Sequence, residues 1–248
     1  MLSIIICTLN EALYLPKLLD SLALQRVDFK YEVLIIDAGS TDNTEGVAGL
    51  YKKNAPYPLR FMAFNQRGIA RQRNYGAQLA RYDQLLFLDA DVVLNTEFLS
   101  SAMAQIQQKK LLIAGTKLYA AEPSMGFRAI YSFYSNIYLP VTRWFNPVIH
   151  GCSIFVTKAL HHKIGGFKEG ILFEDFRYGS DAAAFFRPPL LTGKAYVRTS
   201  ARRFYHVSPK ALAELVSGSL SSFFKSGIDP AKMLMYEKMT GNHDAPRY

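Results

Sequence analysis

Short apolar runs that alternate with amphipathic stretches of helical length most restrict what this chain can fold into. Residues 2–8 (LSIIICT), 31–39 (YEVLIIDAG) and 84–91 (QLLFLDAD) each carry a block of aliphatic residues, the composition of strands covered on both faces. Residues 59–65 (LRFMAFN) form a weaker fourth run. Between them, residues 10–25 place Leu15, Leu18, Leu19 and Leu22 at helical spacing. Residues 40–54 predict a loop and helix that Ser40 or Thr41 can cap, and residues 68–80 predict a further helix. The βαβαβαβ order predicts an α/β fold, a mostly parallel Rossmann-like sheet flanked by helices on both faces.

In such sheets ligands bind beyond the carboxyl ends of the strands. Polar residues gather at those ends here: Thr8, Asn10 and Glu11; then Asp37, Ser40 and Asp42; then Asp89 and Asp91. A single Asp after a strand is an ordinary turn residue, and Asp37 alone could cap a helix or a turn, though at the end of a buried strand a ligand contact is the favoured reading. Three such ends in one sheet predict a site.

Beyond Asp91 the pattern loosens. Residues 96–108 predict a helix, 110–119 (KLLIAGTKLY) one strand, and 150–167 a strand, a helix and a turn at Gly165 and Gly166. Residues 170–186 carry a second acidic pair, Glu174 and Asp175, leading into a helix. Residues 194–206 form a last strand and a basic turn, and 207–248 a helical tail. The organisation expected is one domain over 1–206, with halves 1–95 and 96–206, followed by the tail. His161 and His162 read as surface residues.

The formal charge of +9 in 248 residues points to an anionic partner. Basic residues are dispersed apart from the 71–73 and 201–203 clusters, which argues against nucleic acid. Cys7 and Cys152 have neither metal-site spacing nor a disulfide framework, so a reducing, cytoplasmic setting is expected. No apolar window reaches the ~18 residues that a spanning helix needs, and residues 1–11 lack the basic start of a secretion signal. The aromatic stretch 127–145 reads as core. With Arg128 and Arg143 flanking it, a segment lying on a membrane surface is the alternative.

Asp89-Ala90-Asp91 would bring two carboxylates together if it sits on a turn. Such oxygen ligands suit Mg²⁺ or Mn²⁺, which takes one or two carboxylates together with substrate phosphates. With its neighbours the motif resembles the family 2 glycosyltransferases of GT-A fold, over roughly residues 2–205. SIIICTLNE is similar to the family's opening strand and nucleotide loop, and VLIIDAGSTDNT to its V-x-x-V-D-x-x-S-x-D-x-T segment. GIARQRNYG is similar to its G-x-x-x-A-R-N-x-G helix, LLFLDADV to its D-x-D strand, and GGF followed by FEDF to its acceptor element.

The resemblance implies a nucleotide-diphosphate sugar donor, with uridine or guanosine as base. Thr8, Asn10, Glu11 and Asp37 would contact the nucleoside, supported by Ser40. Arg67, Gly68, Arg71, Arg73 and Asn74 would meet the nucleotide and its phosphates. Asp89 and Ala90 would meet the sugar or ribose, and Asp91, with Asp89, the metal. Asp175 would be the general base with Glu174 beside it. The family often continues E-D-x-D, whereas here Asp181 falls later, so Asp175 and Asp181 both remain candidates. One of Arg71 and Arg73 is expected to be solvated, because residues two apart point to different sides of a helix. His206 is a candidate metal ligand. The acceptor is open between a carbohydrate, a lipid-linked group and a small molecule. The rival readings are a nucleotidyltransferase, whose Gly-rich phosphate loop is missing after the first strand, and a non-enzymatic protein binding nucleic acid or a membrane surface.

Overall fold

The computed structural model describes residues 1–121, 124–142, 149–171, 174–200 and 202. The first half follows the predicted alternation: β1 (Leu2–Thr8), α1 (Leu15–Ala23), β2 (Tyr31–Asp37), α2 (Thr44–Asn54), β3 (Leu59–Ala63), α3 (Ile69–Leu79) and β4 (Gln84–Asp89). β1 and β2 are buried at almost every position, so their side chains pack on both faces of the sheet.

The chain continues through β5 (Val92–Leu94), α4 (Phe98–Gln108), β6 (Ile113–Gly115) and β7 (Lys117–Ala120). It then forms α5 (Met125–Phe133), a π-helical turn (Tyr134–Tyr138), α6 (Leu139–Thr142), β8 (Ser153–Thr157), α7 (Lys158–Lys163), α8 (Glu174–Ala183) and β9 (Tyr196–Thr199). Six strands form the central sheet in the order β3-β2-β1-β4-β8-β6, and β5-β9-β7 form a smaller one. β3, β2, β1 and β4 are mutually parallel, whereas β8 is antiparallel to both β4 and β6.

One expectation is corrected here. Residues 110–119 are two strands in two sheets. Gly115 pairs with Ile154 in the central sheet, while Lys117 already pairs with Tyr196 in the smaller one. Thr116 is the corner between them. The apolar run is continuous across the corner, so periodicity alone could not place the break.

Alternation along the strands sends Ile5, Leu34, Ile36, Leu85, Phe87, Ile154 and Val156 to one face. There they meet Ala70 and Ala77 of α3, Leu160 of α7, and Tyr178 and Ala182 of α8. Close approach of α3 depends on Gly76, where a Cβ would sit 2.4 Å from Ile5 Cγ2. Met1–Thr199 form one compact unit. The tail expected at 207–248, and His206, lie outside the described residues.

Gly76→Ala should therefore destabilise the fold even though Ala is the better helix former. Overpacking of this kind costs about 1–3 kcal/mol, so a thermal melt should fall by several degrees. An unchanged melt would show that α3 can move away from β1.

Candidate active site

The sheet register brings the polar strand ends together. Thr8 lies opposite Asp37 and Cys7 opposite Asp89, so the ends of β2, β1 and β4 form one edge. At that edge the Asp37 carboxylate accepts four hydrogen bonds: from the Thr8 and Ser40 hydroxyls at 2.7 and 2.6 Å, and from Gly39 N–H and Ser40 N–H at 3.0 and 2.8 Å. These account for about all the lone-pair positions of a carboxylate. Asp37 therefore shapes its own turn.

Asn10 holds the neighbouring loop in the left-handed region, with φ of 58°. Its N–H donates to Ser40 Oγ, and its Oδ1 accepts from Thr41 N–H. Glu11 N–H donates to Thr44 Oγ1. The loops after β1 and β2 are thus laced together beside the edge.

Asp-Ala-Asp does sit on a turn: β4 stops at Asp89, Ala90 and Asp91 turn, and Val92 begins β5 in the other sheet. Asp91 is 9% exposed, and Thr199 Oγ1 donates to its Oδ1 at 3.5 Å.

The centre of the site is Arg73. Its Nη1 donates to Glu174 Oε1 at 2.8 Å, and its Nη2 to Asp89 Oδ1 and to the Gly151 carbonyl, each at 3.1 Å. Its Cζ lies 5.0 Å from the centre of the Phe167 ring. The side chain is 4% exposed, and its pKa is pushed up by Glu174 and Asp89 despite burial. Arg73 joins the Asp-Ala-Asp turn to the Glu-Asp element of α8, which lie 85 positions apart in the chain (174 − 89). Arg71, two residues earlier, forms an exposed pair with Glu169, worth little to stability. So one arginine is buried and one is solvated.

Asp175 completes the cluster. Its Oδ2 accepts Gly151 N–H at 2.6 Å and its Oδ1 accepts Phe176 N–H at 2.9 Å. Burial, reinforced by the neighbouring Glu174 charge, pushes its pKa up from the ordinary carboxylate range to about 7, with Arg73 and the two N–H groups pulling the other way. A carboxyl that changes charge near neutrality suits general-base work. Asp181 instead accepts from Arg177 on its own helix at 2.8 Å.

Asn74, expected near the nucleotide, grips the Gly-Gly-Phe turn. Its Oδ1 accepts Phe167 N–H at 2.8 Å and its Nδ2 donates to the Phe167 carbonyl at 2.9 Å. Gly166 makes this possible: its φ is +69°, and a Cβ there would stand 2.6 Å from Asn74 Oδ1. Gly68, with φ of 124°, precedes α3, and Arg67 is exposed beside it. His161, expected at the surface, is buried. Its Nδ1 meets the Tyr178 hydroxyl at 2.8 Å, and burial lowers its pKa to about 4. The helix it lies on is covered by α8, which the sequence pattern did not reveal.

Two further residues escaped the sequence reading. Gln72 donates to the carbonyls of Thr8 and Ile36, tying the ends of β1 and β2 together. At Gly151 a Cβ would sit 2.7 Å from Arg73 Nη2 and 3.1 Å from Asp175 Oδ2, so only glycine admits both groups. Its place just before β8 in the sequence was the available signal.

The donor set fits a hard divalent cation. Among the described residues no three His, Cys, Asp or Glu side chains gather as a metal site. Mg²⁺ or Mn²⁺, however, is commonly held by one or two carboxylates plus phosphates of the substrate. Asp89 and Asp91 are the two carboxylates of this turn, and Asp89 also accepts from Arg73.

Residues 3–167 match the family model described as "Glycosyl transferase family 2". A "PGL/p-HBAD biosynthesis glycosyltransferase" of Mycobacterium bovis (strain BCG / Pasteur 1173P2) is 41% identical over 91 residues, covering 37% of this chain and 35% of that protein. The match thus spans about a third of the relative's length. Among solved structures, S. aureus TarS 1-349 in complex with UDP-GlcNAc superposes with a TM-score of 0.64 at 24% identity, covering 80% of this chain and 58% of that one. The mannosyltransferase PcManGT from Pyrobaculum calidifontis, in complex with GDP-Man and Mn2+, gives 0.69 at 18% identity, covering 97% and 68%. These two likenesses establish the fold.

Replacing Arg73 with Met should leave Asp89 and Glu174 partly buried without their cation. Breaking a buried pair in this way costs about 3–5 kcal/mol, which urea unfolding will measure. A loss below about 1 kcal/mol, the size typical of an exposed pair, would mean that solvent can replace the guanidinium.

Proposed function

The chain belongs to glycosyl transferase family 2, and from that premise we propose that it moves a sugar from a nucleotide-diphosphate donor to an acceptor hydroxyl or lipid phosphate, with inversion at the anomeric carbon. The observation that carries this reading is one network, in which Arg73 links Asp89 of the donor-side turn to Glu174, next to Asp175. The nucleotide sugars in the two structural neighbours, UDP-GlcNAc and GDP-Man, support a UDP- or GDP-sugar donor.

In this reading the edge formed by Thr8, Asn10, Glu11 and the Asp37–Ser40 turn receives the nucleoside. Arg67 and Gly68, just before α3, and Arg71 in its first turn would meet the phosphates. Asp91, with Asp89, would hold Mg²⁺ or Mn²⁺, which supplies positive charge to a departing diphosphate. Asp175 takes the proton from the acceptor hydroxyl. The oxygen then bonds to the anomeric carbon as the bond to the diphosphate breaks, and the electron pair leaves with the nucleotide. Glu174 and Arg73 act by positioning. Where the acceptor is already an anionic phosphate, Asp175 orients it and takes no proton.

No helix among the described residues is long and apolar enough to cross a membrane. A surface contact is supported by Ile130, Phe133, Ile137 and Val141, which are exposed at helical spacing along α5, the π-helical turn and α6, with Arg128 exposed beside them. Co-sedimentation with anionic lipid vesicles tests this. It should weaken in Phe133→Ser, and equal sedimentation of both proteins would count against a lipid contact.

The main test combines thermal shifts with turnover. UDP or GDP should raise the melting temperature more in the presence of Mn²⁺, and Asp91→Ala should remove the Mn²⁺ increment. Asp175→Asn should keep the increment and lose transfer to a hydroxyl acceptor by about 10²–10⁴-fold. Since Asp175 must be charged to accept a proton and its pKa is raised to about 7, wild-type transfer should climb as pH rises through that value. A flat profile, or near-normal transfer by Asp175→Asn, would place the base elsewhere. An unchanged Mn²⁺ increment in Asp91→Ala would remove that residue as ligand.

A further inference from the structure

Between α5 and α6 the helix widens into the π-helical turn Tyr134–Tyr138. Such turns are rare and cluster at functional sites. This one is pinned from beneath: Ser135 Oγ accepts Leu118 N–H at 3.0 Å and donates to the Leu118 carbonyl, fixing it to β7. The rings of Tyr134 and Tyr138 stack at 5.3 Å and 18°. Tyr138 is buried with Leu139, and Tyr134, Phe176 and Leu190 pack against that pair. Phe176 directly follows Asp175. The stacked tyrosines and the first turn of α8 therefore share one small cluster.

Tyr138 covers one face of the Tyr134 ring, and Tyr134 itself is half-buried. Its hydroxyl keeps its proton: burial pushes the pKa well up, and the Asp175 charge adds to it. The result is an aromatic plane supported by Tyr138, in the same cluster as Phe176, the residue that follows Asp175. Planes of this kind bind flat carbon faces, those of pyranose or aryl rings.

We propose that Tyr134, backed by Tyr138, is the acceptor platform of this site, taking a hydroxyl-bearing ring that lays a carbon face on the tyrosine and turns its hydroxyl toward Asp175. This rests on the transferase reading above and adds to it the class of acceptor, a ring in place of an open chain. The Tyr134 O–H holds an oxygen of the acceptor other than the one that Asp175 deprotonates.

Ligand-observed saturation-transfer NMR on the full chain tests the platform without turnover. The probes are methyl β-D-glucopyranoside, benzyl alcohol and glycerol, with wild type, Tyr134→Phe and Tyr134→Ala. At least one of the two ring probes should bind wild type and Tyr134→Phe, and glycerol should not; whether it is the sugar or the aryl probe identifies the ring. Tyr134→Ala should weaken ring binding about tenfold, the size of one lost aromatic contact. Should Tyr134→Ala fail to fold, Tyr134→Leu gives the same comparison with an apolar filler over Tyr138. Ring binding unaffected by loss of the tyrosine, or glycerol binding as well as the rings, would overturn the proposal. The thermal shift with UDP or GDP and Mn²⁺, run on the same samples, should be equal in all variants. Its absence in wild type would strike the transferase reading, while a Tyr134-dependent ring signal would still support the platform.

Discussion

A guanidinium out of reach of water, with a carboxylate on either side, is the interaction on which the rest of this structure depends. Arg73 comes from α3, Asp89 from the end of β4 and Glu174 from the start of α8. Taking a cation out of water costs several kcal/mol unless opposite charge and hydrogen bonds replace the solvent. Here two carboxylates, the Gly151 carbonyl and the face of Phe167 replace it. The requirement works in both directions. The arginine needs both acids in place, and each acid, close to other negative charge, needs the arginine.

That dependence explains several choices around it. Gly151 has no side chain because Arg73 and Asp175 fill the space where a Cβ would go. Gly166 and Asn74 together hold Phe167 in place beneath the guanidinium. Gly76 lets α3 settle close enough to β1 for Arg73 to reach the strand ends. The Asp-Ala-Asp turn and the start of α8 are thus tied together through α3. Asp175 sits beside the network without pairing directly with the arginine. Burial and Glu174 consequently win over Arg73 in setting its proton affinity, which leaves it able to change charge near neutral pH.

Much of the central sheet was legible because its strands are apolar throughout and its helices carry clear stripes. The polar strand ends were legible for the same reason, since they interrupt otherwise continuous apolar runs. What escaped is set by contacts between distant segments. Nothing local distinguishes Arg71, paired with Glu169 in solvent, from Arg73, buried two residues later. Spacing could say only that one of them is exposed. Asn74 clamps the backbone of Phe167, a partner 93 positions away that no local pattern announces. His161 looks exposed by composition and is buried only because α8 folds over it. The 110–119 run divides between two sheets at Thr116 because the second sheet is there to receive Lys117.

The most direct measurement of this coupling is a double-mutant cycle in urea unfolding, built from Arg73→Met, Glu174→Gln and the two combined. If the guanidinium and the carboxylate stabilise each other as described, the combined loss falls short of the sum of the single losses by about 1 kcal/mol or more, within the range seen for directly contacting groups. Losses that simply add, to within about 0.3 kcal/mol, would mean that the two residues act independently. The two acidic segments would then have no common centre.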